Sequence, residues 1–387
     1  MLDTIYIHAG LPKTGSSSLQ DGLHALSQAG LLTRVGYPPS NPGLGTGNGS
    51  ALARELIFTN PAPTSTAQLQ AFVQDILQAS QPGTPRLLIS SEDLCYADVE
   101  KFSRLRQVLL EHARSVKLLV AVRPLRAWSY SVYLQLVKAH ALAADYDADW
   151  LRGHIGDFLY YFRNLDRFEV DTLCFRYQEN DLLRHFLGLI GEDEALAARV
   201  PHTVANRSLA DEELGVVRAV NAVFADERLC RRVSEAFMAQ HPERRGARFP
   251  GHREAEFQAF AAELARQLDA FPGPVMDAAR AILFGDAPAV TAPAQAQAPG
   301  TMAAADVAVA LRALRAHFEA RDDETSQLRG LLDFAAGLQP GRDGFDPVHY
   351  LLMHPDVLRA GCDPRQHYEQ HGRDEGRPSI LGPRRSG

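Results

Sequence analysis

The sequence of 387 residues lacks any apolar run that approaches the roughly 18 uninterrupted residues of a membrane-crossing helix. It lacks a basic excess: 40 Lys and Arg stand against 47 Asp and Glu, a formal charge of −7 that argues against broad binding to nucleic acid while leaving room for a local anion pocket. It has few cysteines. Cys95, Cys174, Cys230 and Cys362 are widely separated and include no C-x-x-C pair, so a reducing compartment is the simpler reading. No basic segment followed by an apolar one trails Met1, where a strand begins within a few residues. The expectation is a cytoplasmic, non-spanning protein with a small partner and no nucleic acid.

What is present is the composition of a folded protein, 45% apolar and 22% charged, with length for two or three domains. Thr4 to His8 are mostly β-branched or aromatic. Gly10, Pro12 and Gly15 then break the run, and Ser16, Ser17 and Ser18 precede Leu19, Leu23 and Leu26 at helical spacing. This strand, turn and helix start form a phosphate-cradle layout. Unpaired N–H groups and the positive end of the helix dipole favour an anion, and Lys13 with the Thr14 and serine hydroxyls can add donors.

The same alternation continues. A Gly/Pro/Asn-rich loop over 36–50 is either a lid over a ligand or an ordinary surface connection. A helix over 68–79 precedes the apolar strand Arg86 to Ser90, which stops at Ser91-Glu92-Asp93. A helix through Phe102 and Leu109 leads to a strand over 116–122, closed by Arg123-Pro124. A helix follows over 125–139, then a strand over 168–176 and a helix over 182–189. Strands alternating with helices predict an α/β fold with a parallel sheet covered on both faces. The pattern from 208 to 284 is mostly helical around a basic loop over 242–252. The expected organisation is a main domain over 1–286, an Ala/Pro-rich linker over 287–305, an amphipathic segment over 306–339 and a small helical module over 340–381. Val307, Leu311, Leu314 and Phe318 in the third part would support a weak homo-oligomer.

Pro12-Lys13-Thr14-Gly15-Ser16-Ser17-Ser18 after a strand, with Arg123 and, eight residues on, Ser131, resembles the sulfotransferase family that uses 3′-phosphoadenosine 5′-phosphosulfate (PAPS). The resemblance covers about residues 1–285. It implies the P-loop-like sulfotransferase fold, PAPS as donor with 3′-phosphoadenosine 5′-phosphate (PAP) as product, and no metal requirement. Lys13, Thr14, Gly15, Ser16, Ser17 and Ser18 resemble the family's 5′-phosphosulfate loop. Arg123 and Ser131 resemble its 3′-phosphate motif, Phe175 to Leu182 looks like the segment after the next strand, and Asn206-Arg-Ser-Leu209 looks like an element of bacterial members.

Lys13 is the candidate for neutralising the departing phosphate oxygen. Small-molecule sulfotransferases carry Thr-His where this chain has Ser91-Glu92. Some carbohydrate sulfotransferases use glutamate, so Glu92 is the candidate base and Asp93 its alternative. His8 would orient an acceptor or shuttle a proton, or is a buried hydrogen-bonded histidine. Arg244-Arg245-Gly246 looks similar to the family's late basic loop, or is an Arg-rich surface loop. Residues 345–379 resemble a short helical module appended to bacterial glycosyltransferases, which points to a carbohydrate or glycoconjugate acceptor through a hydroxyl or an amine. Its bottom-up reading is two short helices beginning at Asp346 and Asp363, packed by Tyr350 and Tyr368 and stopped by Gly372. His349, His354, His367, His371 and Cys362 there allow a zinc site as a minor alternative. The competing functions are a P-loop kinase or NTPase with a magnesium carboxylate from 90–93, and a non-catalytic nucleotide-binding scaffold. Against the first, Lys13 precedes Gly15, whereas a Walker loop places its lysine after the last glycine.

Overall fold

The computed structural model describes residues 1–39, 47–58, 65–80, 83–97, 99–163, 165–178, 181–200, 207–285, 304–319, 345, 347, 350, 351, 354, 357, 362–375 and 377. The chain forms two compact units, each gathered from separate stretches: Met1–Trp128, Leu151–Ala205 and Ala255–Ala289 in the first, Ser129–Trp150, Asn206–Glu254 and Val290–Gly387 in the second.

The first unit is the expected α/β fold. Five strands, β1 (Leu2–His8), β2 (Val35–Gly36), β3 (Arg86–Ser90), β4 (Ala113–Val122) and β5 (Asp171–Arg176), form one sheet in the order β2-β3-β1-β4-β5, and every pair is parallel. Leu87, Leu88 and Ile89 of β3 and Leu118 to Val122 of β4 are all buried, because helices cover both faces of a parallel sheet. One cover is α1 (Ser16–Gln28), whose Leu19, Leu23 and Leu26 join Phe186 and Ile190 in the core over Tyr6 and Leu119. The helices α2 (Ser50–Phe58) and α3 (Thr66–Ala79) follow. Ser65 and Gln68 close a reciprocal capping box at the start of α3. Helix α4 (Val99–Leu110) packs on β4.

Three sequence expectations change. β2 lies at the edge of a stretch read as loop: two residues carry no periodicity, yet they pair with Arg86 and Leu87, and a Cβ on Gly36 would lie 2.1 Å from Ser80 Oγ. Helix α2 was not foreseen. β5 begins at Asp171 and not at residue 168, because Phe168 sits in a tight turn with its ring stacked on Phe102 at 4.2 Å, and Glu169 then takes a left-handed φ of 49°. The helix expected over 125–139 is α5 (Leu125–Ala139), and the chain then makes α6 (Ala148–Gly153), α7 (Ile155–Phe162) and α8 (Leu182–Ile190).

The second unit packs α9 (Asp211–Phe224) and α10 (Glu227–Gln240), while α11 (Glu254–Leu268) and α12 (Pro274–Phe284) return the chain to the first unit. Helix α13 (Ala304–Glu319) covers α9 and α10 with Val309, Ala310 and Leu314. Most of the expected linker, residues 320–344, and the side chains of Val307 and Phe318 lie outside the described residues. In the tail, Phe345, Tyr350, Leu351 and Val357 form a small core against Tyr368 and Val223. Asp363 caps the turn that starts at Pro364 by accepting from Gln366 N at 2.8 Å. Asp346 lies outside the described residues. Gly372 closes a wide helical turn, and a Cβ there would lie 2.1 Å from the Tyr350 hydroxyl. Among the described residues no helix is long and apolar enough to cross a membrane.

Candidate functional site

The carboxyl ends of β1, β3, β4 and β5 lie along one edge of the sheet, and from there the chain leaves β1 toward β2 on one side and β4 toward β5 on the other. A crevice at such a switch point is where open α/β sheets bind ligands. The β1–α1 turn fills this position. Lys13 and Gly15 are both left-handed, with φ of 65° and 79°. Between them the buried Thr14 donates its hydroxyl to Leu11 O. A left-handed lysine is strained, and its surroundings hold it there. Arg123 Nη1 donates to Lys13 O at 3.1 Å, and Trp128 Nε1 donates to Pro12 O at 2.7 Å. Gly15 is required twice over: by its φ, and because a Cβ would meet Leu182 at 2.7 Å and the Tyr177 ring at 2.8 Å.

Helix α1 starts at Ser16 with no side-chain cap on its first turn. Its leading N–H groups and dipole therefore stay available to an anion. Ser17 and Ser18 are exposed and Ser16 is buried, its Oγ without a hydrogen-bond partner among the described residues. Lys13 is half-buried at the mouth of the turn.

Glu92 follows β3 as the first residue of a tight turn, Glu92–Tyr96, and the strand end is tied to β1 by Ser91 N donating to His8 O at 3.0 Å. The Glu92 carboxyl is held above its ordinary range, first by desolvation and then by the charge of Asp93, while Lys13 opposes the rise. The side chain is exposed at its edge, so the desolvation is partial. Lys13 and Glu92 thus sit within each other's field. His8, in contrast, is fully inside, 1% exposed, with Nδ1 2.9 Å from Ser90 Oγ. Burial lowers its pKa to about 4.

The turn therefore gathers Lys13, Thr14, Gly15, Ser16, Ser17 and Ser18 with Arg123 behind them. Ser131 is buried on α5 in the second unit, whereas Arg123 belongs to the first. Sequence reading passed over Tyr177, whose N–H donates to Val122 O at 2.8 Å and whose ring lies 4.9 Å from the Arg123 guanidinium. Its place directly after β5, at the ligand edge, was the available signal. Gln20 and Ser90, linked at 3.0 Å, were also missed, because a buried amide inside a helix leaves no mark in a periodicity pattern.

Other expected residues have structural roles. Arg207 makes a two-pronged ion pair with the fully buried Glu213, both contacts at 2.7 Å, and Asn206 lies outside the described residues. Arg244 donates to Asp306 at 2.9 Å, which pins the first turn of α13. The loop end at Asn48 brackets β3, accepting from Ser90 N at 2.7 Å and donating to Leu88 O at 2.8 Å; residues 40–46 of the expected lid lie outside the described residues. In the tail, His367 Nδ1 is 3.0 Å from the Tyr350 hydroxyl, and no group of three or more His, Cys, Asp or Glu among the described residues is arranged for a metal. His349 lies outside them. No disulfide joins the four cysteines.

Comparison with protein-family models, with curated proteins and with solved structures finds no match.

Proposed function

We propose that the protein is a PAPS-dependent sulfotransferase acting on a hydroxyl acceptor. The observation that carries this reading is the tie from Arg123 to Lys13 O, which links the turn after β1 to the end of β4, the two segments whose residues resemble the family's phosphate motifs. The buried, unpartnered Ser16 Oγ and the uncapped start of α1 fit an anionic group.

PAPS supplies the activated sulfuryl group. Sulfuryl transfer builds charge on the departing phosphate oxygen, so the protein's task is to position and neutralise. The α1 N–H groups and the serines hold the 5′ end, Thr14 fixes the turn through its bonds to Leu11 O, and Lys13 brings a compact cation to it. Arg123 presents a planar fork suited to the 3′-phosphate. The acceptor hydroxyl loses its proton to Glu92 as its oxygen takes the sulfuryl group. A carboxyl raised by desolvation and by the charge of Asp93 is a stronger base than an ordinary one, and Lys13 opposes the rise.

The acceptor is a carbohydrate or glycoconjugate, a choice supported by the tail's resemblance. The expected workplace is the cytoplasm. Purified protein incubated with radiolabelled PAPS and a mixed glycan panel tests the activity: label transferred to a glycan supports it, and absence of transfer to every acceptor, with no PAP binding, overturns it.

A further inference from the structure

Three tyrosines gather where the turn Glu92–Tyr96 meets α7: Tyr96 closes the turn, and Tyr160 and Tyr161 lie in the last turn of the helix. All three belong to the first unit. Their ring centroids lie 5.3 to 6.2 Å apart. The Tyr96 and Tyr161 hydroxyls are 3.0 Å apart, and the Tyr160 hydroxyl donates to Tyr96 O at 3.3 Å. The fully buried Trp128 anchors the group, packing edge-to-face on Tyr161, Phe158 and Phe162 at 4.6 to 5.7 Å, while its indole N–H holds Pro12 O of the β1–α1 turn. The group is thus part of the turn that carries Glu92 and is packed on the residue that holds the Lys13 turn.

The sulfuryl-transfer steps use none of these tyrosines, and packing alone would enclose them. Tyr160 is instead 37% exposed, and Tyr96 and Tyr161 are half-buried. Among the described residues the Tyr96 and Tyr161 hydroxyls bond only each other. One hydroxyl hydrogen lies between the two oxygens, and the other, with the remaining lone pairs, is left for a ligand. Burial pushes both phenols up and the charge of Glu92 adds to the rise in each, so both keep their protons within the field of that carboxylate. The exposed Asp157 also acts on Tyr161, and the Arg163 guanidinium stands 5.7 Å from the Tyr160 ring. Aromatic rings rimmed by hydroxyls, carboxylates and a guanidinium suit one kind of acceptor. A phenol fits an apolar slot with a single polar exit and would leave these polar groups unpaired. A pyranose lays its C–H bonds against an aromatic face and turns its hydroxyls to the rim.

We propose that Tyr160, Tyr161 and Tyr96 form the acceptor subsite and take a pyranose ring: a C–H face of the sugar rests on Tyr160, and its hydroxyls bond the Tyr96–Tyr161 pair beside Glu92. This rests on the sulfotransferase reading, with Glu92 as the base, and it gives the choice of a glycan acceptor a support apart from the tail. Tyr160 is the stacking residue because it is the exposed ring. The phenol pair supplies the polar contact.

The test is saturation-transfer NMR on the full chain with methyl glycosides of glucose, galactose, mannose and N-acetylglucosamine, with and without PAP, beside para-nitrophenol. At least one glycoside should bind, with saturation strongest on the C–H protons of one ring face. Tyr160→Ala should weaken that binding about tenfold, the scale of one lost aromatic contact, and Tyr160→Trp should restore it. Tyr161→Phe should weaken binding and leave the same face saturated. Melting temperatures equal to the parent's separate these losses from unfolding. In the transfer assay, Tyr160→Ala should raise KM for the labelled glycan about tenfold and keep kcat within about twofold. No glycoside bound in either condition, binding unchanged in Tyr160→Ala, or para-nitrophenol bound in preference to every glycoside overturns the proposal. The PAP arm separates it from the function above. If glycosides bind through Tyr160 and PAP does not bind, the sulfotransferase reading falls and the sugar subsite stands. If PAP binds and a glycan is labelled with KM unmoved in Tyr160→Ala, the subsite falls alone. If neither glycosides nor PAP bind, both fall.

Discussion

Arg123 holds the carbonyl oxygen of Lys13 at 3.1 Å, and Lys13 sits in a left-handed conformation that a lysine adopts only under constraint. The contact fixes where the ammonium begins its reach, and it separates folding from function at this position. In Lys13→Gly the backbone strain is relieved, by about 1 kcal/mol, while the charge is removed. The expected outcome is a melting temperature equal to or above that of the parent and a turnover reduced by roughly 100-fold or more, the usual loss on removing a charge-stabilising group. Thermal scans beside a sulfuryl-transfer assay check both halves.

Glu92→Gln should leave PAP affinity unchanged and lower turnover by about 100- to 10,000-fold. Because the folded carboxyl is raised, ionising it costs stability above the unfolded pKa, and glutamine removes that cost. The variant should thus be as stable as the parent in acid and no less stable at neutral pH. Parent turnover should fall as pH drops through the raised carboxyl range. Full activity in Glu92→Gln would take the residue out of the reaction.

His8 makes the opposite kind of contribution. Its folded pKa of about 4 lies below the unfolded value of 6.5, so the unfolded chain binds the extra proton between them. Stability is then complete above about pH 6.5 and falls as pH drops toward 4, by roughly 3 kcal/mol from this group. Urea unfolding of parent and His8→Gln across pH 4.5 to 7.5 should show the parent losing more stability on acidification. Parallel pH profiles would contradict the burial of a neutral imidazole.

In the second unit, Glu213→Ala leaves Arg207 without the carboxylate it grips at 2.7 Å on both prongs, and Arg244 without its 3.5 Å neighbour. Breaking a buried pair from one side costs about 3 to 5 kcal/mol. Urea midpoints measure it, and a change under 1 kcal/mol would contradict the buried fork.

The α/β alternation was legible in the sequence because β1, β3 and β4 are apolar runs bounded by Gly, Pro or charge, and α5 runs over the residues its pattern predicts. β2 was not legible, since two residues have no period and are placed by pairing to Arg86 and Leu87. Phe168 looked like strand because an aromatic at an apolar boundary reads the same whether it pairs or stacks, and here it stacks on Phe102. In the candidate site, the Gly15 turn announces itself through residue type. The support for it does not: Tyr177 against Gly15, Gln20 on Ser90 and Trp128 on Pro12 O join residues 70 to 162 apart, through contacts that only the assembled sheet creates. At the half-buried Arg207 the obstacle is different: a motif-like sequence conceals a local ion pair with Glu213, six residues on.

The central claim is a donor site for a nucleotide with phosphates at both its 3′ and 5′ positions, and calorimetry on the full chain tests it most directly. Titration of PAP in the presence of EDTA should give tight, magnesium-independent binding that Arg123→Ala abolishes. Failure of PAP to bind, with magnesium ATP taken up in preference, would contradict the account.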